Sequence, residues 1–287
     1  MHNRIASIVI ILAAGAFGLT GCVSEKAARL TPVSATKTEV HHLGKFVWFD
    51  LLTEDPQAVQ PFYKELFGWR FAADKNAPEY IVIYLGDKPI GGIVTHENKD
   101  PEIPESMWLV SLSVADVDLA VSAAKARKAE VLDGPTDIKG RGRMAVIRDA
   151  EGAELVLIRA AGGDPPDAGV KAGEWLWVDL FSKDVQKAQD FYGAVAGYTP
   201  QSVPTADEDF IILLRRGSRA YAGVVKLKLD DVEPNWLPYV KVDDLEDTIS
   251  RAEKLGGILL LRTENVAIIA DPSGGVFGIQ MTEGARS

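Results

Sequence analysis

The sequence predicts an α+β protein built from two tandem copies of one domain. An aromatic block beginning at Trp48-Phe49-Asp50-Leu51 returns 129 positions later as Trp177-Val178-Asp179-Leu180. Phe62-Tyr63 returns at the same spacing as Phe191-Tyr192, and Trp108-Leu109 returns after 128 positions as Trp236-Leu237. Self-similarity at a fixed period is the sequence signature of a repeated structural unit. A chain of 287 residues has room for two domains of ordinary size.

The first 21 residues are predicted to be a lipoprotein signal peptide. Arg4 gives a positive start, and the apolar stretch 5–17 is too short for a membrane-spanning helix of ~20 residues. Leu19-Thr20-Gly21-Cys22 resembles a bacterial lipobox, so we expect an acylated Cys22 to anchor the protein to the bilayer. The alternative is a small buried cysteine. Val23 is not an acidic retention residue, which favours the outer membrane, facing the periplasm, over the inner membrane.

The charge balance excludes some partners. The net charge of −10 becomes −11 when residues 1–21 are removed, because that stretch holds Arg4 and no acid. An acidic protein of this kind is not suited to nucleic acid or to electrostatic adhesion on anionic lipid. Residues 22–43 show little periodicity and are predicted to form a tether.

Domain 1, which we place at residues 44–160, begins with a strand and a helix. Residues 45–52 are apolar and aromatic with one acid, which suits a buried strand. Asp55 is predicted to cap a helix that has Pro56 in its first turn and ends at Gly68. Residues 80–85 and 90–95 are predicted strands.

The second half of domain 1 repeats that order. Residues 108–114 are predicted to form a strand, Asp116 to cap a helix, and residues 144–148 and 154–159 to form strands across a turn. Domain 2, residues 172–282, matches domain 1 piece by piece after a Gly- and Pro-rich linker at 161–171. Each domain is therefore predicted to be a tandem of two strand–helix–strand units.

One loop is present in domain 1 alone. From Trp108 to Asp149 there are 41 positions, whereas from Trp236 to Asp271 there are 35. The additional segment lies around residues 138–143, which are basic and Gly-rich. Its backbone N–H groups and arginines predict either an anion site or a solvated loop.

As a whole pattern, the chain resembles the vicinal oxygen chelate superfamily, which contains glyoxalase I, bleomycin-resistance proteins and extradiol dioxygenases. In domain 1 the resemblance is carried by Asp55, Phe62-Tyr63, Leu66-Phe67-Gly68, Val114-Ala115-Asp116-Val117-Asp118 and Asp149-Ala150-Glu151-Gly152. In domain 2 it is carried by Asp184, Phe191-Tyr192, Gly197, Val242-Asp243-Asp244-Leu245, Lys254-Leu255-Gly256-Gly257 and Asp271-Pro272-Ser273-Gly274. The resemblance implies two tandem glyoxalase-like domains, each a pair of βαβββ modules forming a curved, barrel-like sheet.

The resemblance also implies where a metal would bind, since many members hold a divalent ion with His, Glu or Gln side chains inside the curved sheet. The positions of this chain that match those ligands are Trp48, Leu109, Val156, Trp177, Leu237 and Gly278. None of these residue types can ligate a metal, so no metal and no cofactor are predicted. A site at His41-His42 is the alternative to a solvated histidine pair.

Strand alternation predicts which side chains line the inside of each sheet. The candidates for ligand binding are Trp48, Asp50, Leu109, Ser111, Ser113, Arg143 and Glu154 in domain 1, with Trp177, Asp179 and Tyr239 in domain 2. An aromatic wall with one or two carboxylates suits an aromatic or cationic small molecule. The alternative is that the two tryptophans fill the sheets and the aspartates are satisfied internally.

Three functions compete at this point. The first is a membrane-tethered, metal-free small-molecule-binding protein, with domain 1 carrying more of the binding than domain 2. The second is a lyase or isomerase related to lactoylglutathione lyase, with Asp50 or Glu154 as its catalytic group. The third is a structural envelope lipoprotein.

Overall fold

The computed structural model describes residues 29–95, 106–202, 210–214 and 219–282. The predicted signal peptide and Cys22 lie outside the described residues. The two-domain α+β architecture is confirmed, and each domain is a curved, open sheet of eight strands.

Domain 1 has its strands in the order β2-β3-β4-β1-β5-β8-β7-β6. Its elements are β1 (Phe46–Thr53), α1 (Pro56–Phe67), β2 (Arg70–Ala73), β3 (Tyr80–Leu85), β4 (Lys88–Thr95), β5 (Ser106–Ser113), α2 (Val117–Lys125), β6 (Glu130–Ile138), β7 (Gly142–Arg148) and β8 (Glu154–Ala160). The two βαβββ modules join through the antiparallel pair β1/β5 at the centre of the sheet.

Domain 2 repeats this order as β10-β11-β12-β9-β13-β16-β15-β14. Its elements are β9 (Trp175–Ser182), α3 (Val185–Ala196), β10 (Thr199–Ser202), β11 (Phe210–Leu214), β12 (Ala220–Lys226), β13 (Asn235–Val242), α4 (Leu245–Lys254), β14 (Ile258–Arg262), β15 (Val266–Ala270) and β16 (Val276–Met281). The antiparallel pair β9/β13 joins its two modules.

The predicted caps form. Asp55 Oδ1 accepts hydrogen bonds from the backbone N–H groups of Gln57 (3.0 Å) and Ala58 (2.9 Å), two donors that an α-helix leaves unpaired at its start. Gly68 ends α1 with φ +72°, a left-handed conformation in which a Cβ is strained. Asp116, Asp184 and Asp244 cap the other three helices, each accepting one hydrogen bond from the backbone N–H three residues later.

The helix-bearing faces of the two sheets share one hydrophobic core. Across this interface Phe49 of domain 1 stacks on Trp175 of domain 2, with ring centroids 4.3 Å apart. Trp69 Nε1 donates a 2.8 Å hydrogen bond to the Gly173 carbonyl. The opposite face of each sheet, which we call the inner face, is not part of this shared core.

Part of the predicted tether lies against domain 1, whereas its residues 35–40 are exposed. Leu30 and Val33 are each 1% exposed and belong to the cluster on the inner face. The Leu30 N–H donates to the Lys139 carbonyl (2.9 Å), and the Thr31 N–H and hydroxyl both donate to Asp74 Oδ2 (2.7 and 2.6 Å). We call residues 29–34 the N-terminal strap.

The loop that only domain 1 possesses holds this strap. Gly140 has φ +85°, and a Cβ at this position would lie 2.3 Å from the Leu30 carbonyl oxygen, so only glycine allows the close approach. The next residue, Arg141, is 1% exposed and enters the inner face. The loop is thus neither of the predicted alternatives. It is a structural element that closes domain 1.

Candidate functional site

The centre of the inner face of domain 1 is a buried hydrogen-bonded network on β1 and β3. The Tyr80 hydroxyl donates to Asp50 Oδ1 (2.5 Å), and Trp48 Nε1 lies 2.9 Å from the same oxygen and 2.8 Å from the hydroxyl. Trp48 is 0% exposed and Asp50 3%. Gly92 faces this network from β4, where a Cβ would lie 1.9 Å from the Tyr80 hydroxyl oxygen. Only glycine, which has no Cβ, leaves room for the network at this position.

Arg141 completes the network with a positive charge. Its guanidinium carbon lies 4.0 Å from the centroid of the Trp48 ring, and Nη2 donates to the Tyr80 hydroxyl at 3.3 Å. Burial raises the pKa of Asp50, while Arg141 and the hydrogen bonds from Tyr80 and Trp48 oppose that rise. The space that a ligand would need beside Trp48 and Asp50, two of the predicted ligand-binding residues, is therefore filled by the protein's own Arg141.

The other predicted side chains of domain 1 are also engaged or enclosed. Leu109, Ser111 and Ser113 are buried, and the Ser113 hydroxyl donates to Asp164 Oδ2 of the linker at 2.6 Å. Glu154 Oε1 accepts two hydrogen bonds from Arg148, from Nε at 2.8 Å and from Nη2 at 2.5 Å. Glu154 is thus an ion-pair partner and not a free carboxylate.

Arg143 does not line the inner face, which corrects its predicted role. On β7 it shares a side with Ala145 and Ile147, and both of those pack in the core on the helix side. Its guanidinium pairs with Asp118 (2.6 Å) and Asp137 (3.0 Å).

The arginine that lies on the inner face of domain 1 is Arg141. Neither Arg141 nor Tyr80 was predicted from the sequence to be part of this site. One signal was available, because a glycine inside a strand, here Gly92, indicates close approach of another group.

The inner face of domain 2 differs because a cavity lies among those of its side chains that the structure describes. A cavity of about 420 Å³ is lined by Leu176, Trp177, Asp179, Tyr239, Val266, Gln280 and Thr282. Trp177 is only partly buried, whereas the matching Trp48 is 0% exposed. Three predicted residues, Trp177, Asp179 and Tyr239, therefore line one cavity, in which Trp177 is partly exposed while Asp179 and Tyr239 are buried.

Asp179 lies buried beside the two rings. Trp177 Nε1 donates to Asp179 Oδ1 at 2.7 Å, and Tyr239 also hydrogen-bonds to the carboxylate. Burial raises the pKa of Asp179 to about 6, against the lowering effect of these two donors. Burial also raises the pKa of Tyr239, with the Asp179 charge adding to the rise. The Tyr239 ring lies over Gly278, where a Cβ would be 2.1 Å from Tyr239 Cδ1.

The positions that the resemblance matches to metal ligands carry apolar or aromatic side chains, or glycine, in both domains. In domain 1 the matching positions are Trp48, Leu109 and Val156, and a guanidinium already stands against the Trp48 ring. In domain 2 the Tyr239 ring covers Gly278, the last of the matching positions. Among the residues that the structure describes, no group of three or more His, Cys, Asp and Glu side chains could hold a metal ion.

The histidine pair helps to attach the segment that precedes β1. His41 Nδ1 is 3.7 Å from Asp164 Oδ1, and the His42 N–H donates to Asp164 Oδ2 at 2.7 Å. Burial lowers the pKa of His41, and the charge of Arg159 lowers it further. The neighbours of the pair suit a structural role.

Comparison with known families identifies this architecture. Residues 40–157 match the model of the Glyoxalase/Bleomycin resistance protein/Dioxygenase superfamily. Domain 1 belongs to this superfamily. The match runs from before β1 into β8, and domain 2 repeats the same strand order.

The matches to relatives cover both domains. The chain is 28% identical over 253 residues to a protein of Mycobacterium tuberculosis named "Putative glyoxylase CFP32", covering 85% of this chain and 97% of the relative. It is 27% identical over 264 residues to the anthracycline biosynthesis protein DnrV of Streptomyces peucetius, covering 84% of this chain and 94% of the relative.

Solved structures show the same fold. The Mn(II)-bound glyoxalase from Novosphingobium aromaticivorans aligns with a TM-score of 0.56 at 12% identity, covering 84% of this chain and 83% of that one. The 2,3-dioxygenase LapB from Pseudomonas sp. KL28 aligns with a TM-score of 0.56 at 12% identity, covering 84% of this chain and 94% of that one. At this identity the likeness concerns the fold of the superfamily alone.

Proposed function

We propose that this superfamily member binds a small aromatic or cationic molecule on the inner face of domain 2, without a metal ion. One observation carries the proposal: Asp179 lies between Trp177 and Tyr239 in an open cavity of about 420 Å³. Aromatic faces attract cations, and a carboxylate beside them adds charge complementarity. A small apolar cavity with few polar groups is the usual form of a small-molecule site.

This proposal reverses our expectation that domain 1 carries more of the binding. The matching aspartate of domain 1, Asp50, is sealed by Arg141 and Tyr80, and the strap residues Leu30 and Val33 belong to the same buried cluster. Domain 1 fits the alternative in which the tryptophan and aspartate are satisfied internally. Its inner face supports the fold and positions the strap.

We further propose that the protein is a lipid-anchored envelope protein of the outer membrane, facing the periplasm. The support is the Leu19-Thr20-Gly21-Cys22 motif after an apolar leader. Among the described residues, no helix has the length and apolar character needed to span a bilayer. Palmitate labelling of wild-type protein and of Cys22→Ser tests the anchor. Labelling of the wild type alone is expected, and an unlabelled wild type would contradict it.

Calorimetric titration with benzyltrimethylammonium tests the binding site. Its uncharged isostere neopentylbenzene serves as the ligand control, and Asp50→Asn serves as the control for Asp179→Asn. We expect the cation to bind more tightly than the isostere. Loss of a charged contact should weaken cation binding by about 10- to 150-fold in Asp179→Asn, and Asp50→Asn should leave binding unchanged. Equal losses from both variants would refute a site confined to domain 2.

A second candidate function is proton transfer at the same place. A carboxyl group whose pKa is about 6, in an open cavity, suits a general base near neutral pH. The relative from Mycobacterium tuberculosis carries the word glyoxylase in its name. Formation of S-lactoylglutathione from methylglyoxal and glutathione, abolished by Asp179→Asn, would support this function. If the protein binds the cation but forms no S-lactoylglutathione, the enzymatic function is wrong and the binding function is retained.

A further inference from the structure

A second cavity, of about 340 Å³, lies between the two domains. Its walls come from the end of the N-terminal strap, from the linker at 165–170 and from the first strands of both domains, β1 and β9. It is therefore distinct from the inner face of either sheet.

The two cavities border the same two side chains. Leu176 and Trp177 line the open inner face of domain 2, and they also line the cavity between the domains. Both side chains are partly exposed, whereas their counterparts in domain 1, Val47 and Trp48, are buried. The hydrogen bond from Trp177 to Asp179 fixes the position of the indole ring. Trp177 therefore lies at the boundary between the candidate site and the cavity between the domains.

The cavity between the domains suits an apolar group. Much of its wall is hydrocarbon or aromatic, from residues that include Phe46, Val47, Ile90, Trp175 and Val178. Each charged side chain on its wall has an opposite charge close by. Lys45 and Arg219 lie 3.4 and 2.8 Å from Asp167, and Lys88 lies 2.6 Å from Glu174. The three cations and two carboxylates leave the wall with a net charge of +1, but each cation has a carboxylate within 3.4 Å, so an incoming uncharged chain meets no isolated charge on this wall.

Resting on the proposed function, we infer that the natural ligand is a cationic amphiphile that occupies both cavities. Its cationic head lies against Asp179, Trp177 and Tyr239. Its flexible apolar tail passes Trp177 and fills the cavity between the domains. The substrate class is thus a single-tailed cationic amphiphile and not a compact polar metabolite.

A chain-length series tests this inference. Benzyltrimethylammonium is compared with benzyldimethylbutyl-, benzyldimethylhexyl- and benzyldimethyloctylammonium, each below its micelle concentration, by calorimetric titration of the full-length protein. Burial of each methylene should tighten binding by about fourfold. Because alkyl chains also partition non-specifically, the measured quantity is the difference between the wild type and a variant under identical conditions.

The variant Ala220→Phe places a ring in the cavity between the domains, where Ala220 lines the wall. Its matched control is Ala126→Phe, at an exposed site at the end of α2. We expect Ala220→Phe to remove the dependence on chain length while leaving the affinity for benzyltrimethylammonium within about twofold. Ala126→Phe should change neither, and thermal unfolding confirms that each variant is folded.

The outcomes separate this inference from the proposed function. If benzyltrimethylammonium binds through Asp179 but longer tails bring no gain, the amphiphile inference is wrong and the binding site stands. If the gain persists unchanged in Ala220→Phe, the tail lies elsewhere and the inference is wrong. If none of the four compounds binds in an Asp179-dependent way, both proposals fail.

Discussion

The Tyr63 hydroxyl of domain 1 donates a 2.8 Å hydrogen bond to Asp271 Oδ2 of domain 2. The reverse bond is also present, since the Tyr192 hydroxyl of domain 2 donates to Asp149 Oδ2 of domain 1 at 2.8 Å. Trp108 Nε1 donates to the first hydroxyl (3.1 Å), and its counterpart in domain 2 donates to the second (3.0 Å). The repeated Phe-Tyr, Trp and turn-Asp motifs therefore join the two domains and do not form the ligand site.

Removing either hydroxyl should destabilise the protein. Tyr63→Phe and Tyr192→Phe each leave a buried aspartate short of one hydrogen bond, which costs about 1–3 kcal/mol. Urea unfolding measures the change. Tyr84→Phe, at a partly buried ring beneath Arg70, is the control and should cost less than about 0.5 kcal/mol. Wild-type stability in both test variants would show that the interface does not depend on these bonds.

The N-terminal strap should contribute to the stability of domain 1. Leu30→Ala removes a buried leucine and should lower the free energy of unfolding by about 2–5 kcal/mol, as in other cores. Val40→Ala, where the side chain is 52% exposed, is the control and should have little effect. Equal stability of the two variants in thermal unfolding would mean that residues 29–34 act as the tether we first predicted.

Arg141 and Arg143 should behave differently. Arg141→Met leaves the buried Asp50 without its positive partner, which costs about 3–5 kcal/mol in comparable buried pairs. Without the guanidinium, the folded-state pKa of Asp50 rises further above its unfolded value. The deficit should therefore be small at low pH, where Asp50 is protonated, and grow as the pH rises through the folded-state pKa.

The control Arg143→Met should change stability little at any pH, because Arg143 is partly exposed and its partners Asp118 and Asp137 are on the surface. Urea unfolding at pH 4 and pH 8 separates the two variants. A loss in Arg141→Met that does not vary with pH would contradict the coupling between Arg141 and Asp50.

Binding of a cation in domain 2 should depend on pH. The pKa of Asp179 is about 6, so the carboxylate that attracts the cation is about one-tenth ionised at pH 5 and almost fully ionised at pH 8. The Kd for benzyltrimethylammonium should be about tenfold higher at pH 5 than at pH 8. In Asp179→Asn this dependence should disappear. A flat profile in the wild type would show that Asp179 does not contact the cation.

The sequence by itself determined the duplication, the α+β class, the helix caps and the pairing of Trp48 with Asp50 and of Trp177 with Asp179. These features follow from local rules, because spacing, capping chemistry and strand alternation act over a few residues. The short edge strand β2 and the edge strand β6, which contains Gly134-Pro135, were not predicted from such rules, since edge strands carry weak apolar patterns.

Only the tertiary structure decided that, among the described side chains, the inner face of domain 2 contains a cavity and that of domain 1 is filled. Trp48 and Trp177 occupy equivalent positions, and nothing local distinguishes them. Domain 1 is closed because Arg141 and Leu30 reach its inner face from segments that are distant in sequence, whereas Trp177 remains partly exposed. Burial is a property of three-dimensional neighbours, so a pattern of residue types along one strand cannot specify it.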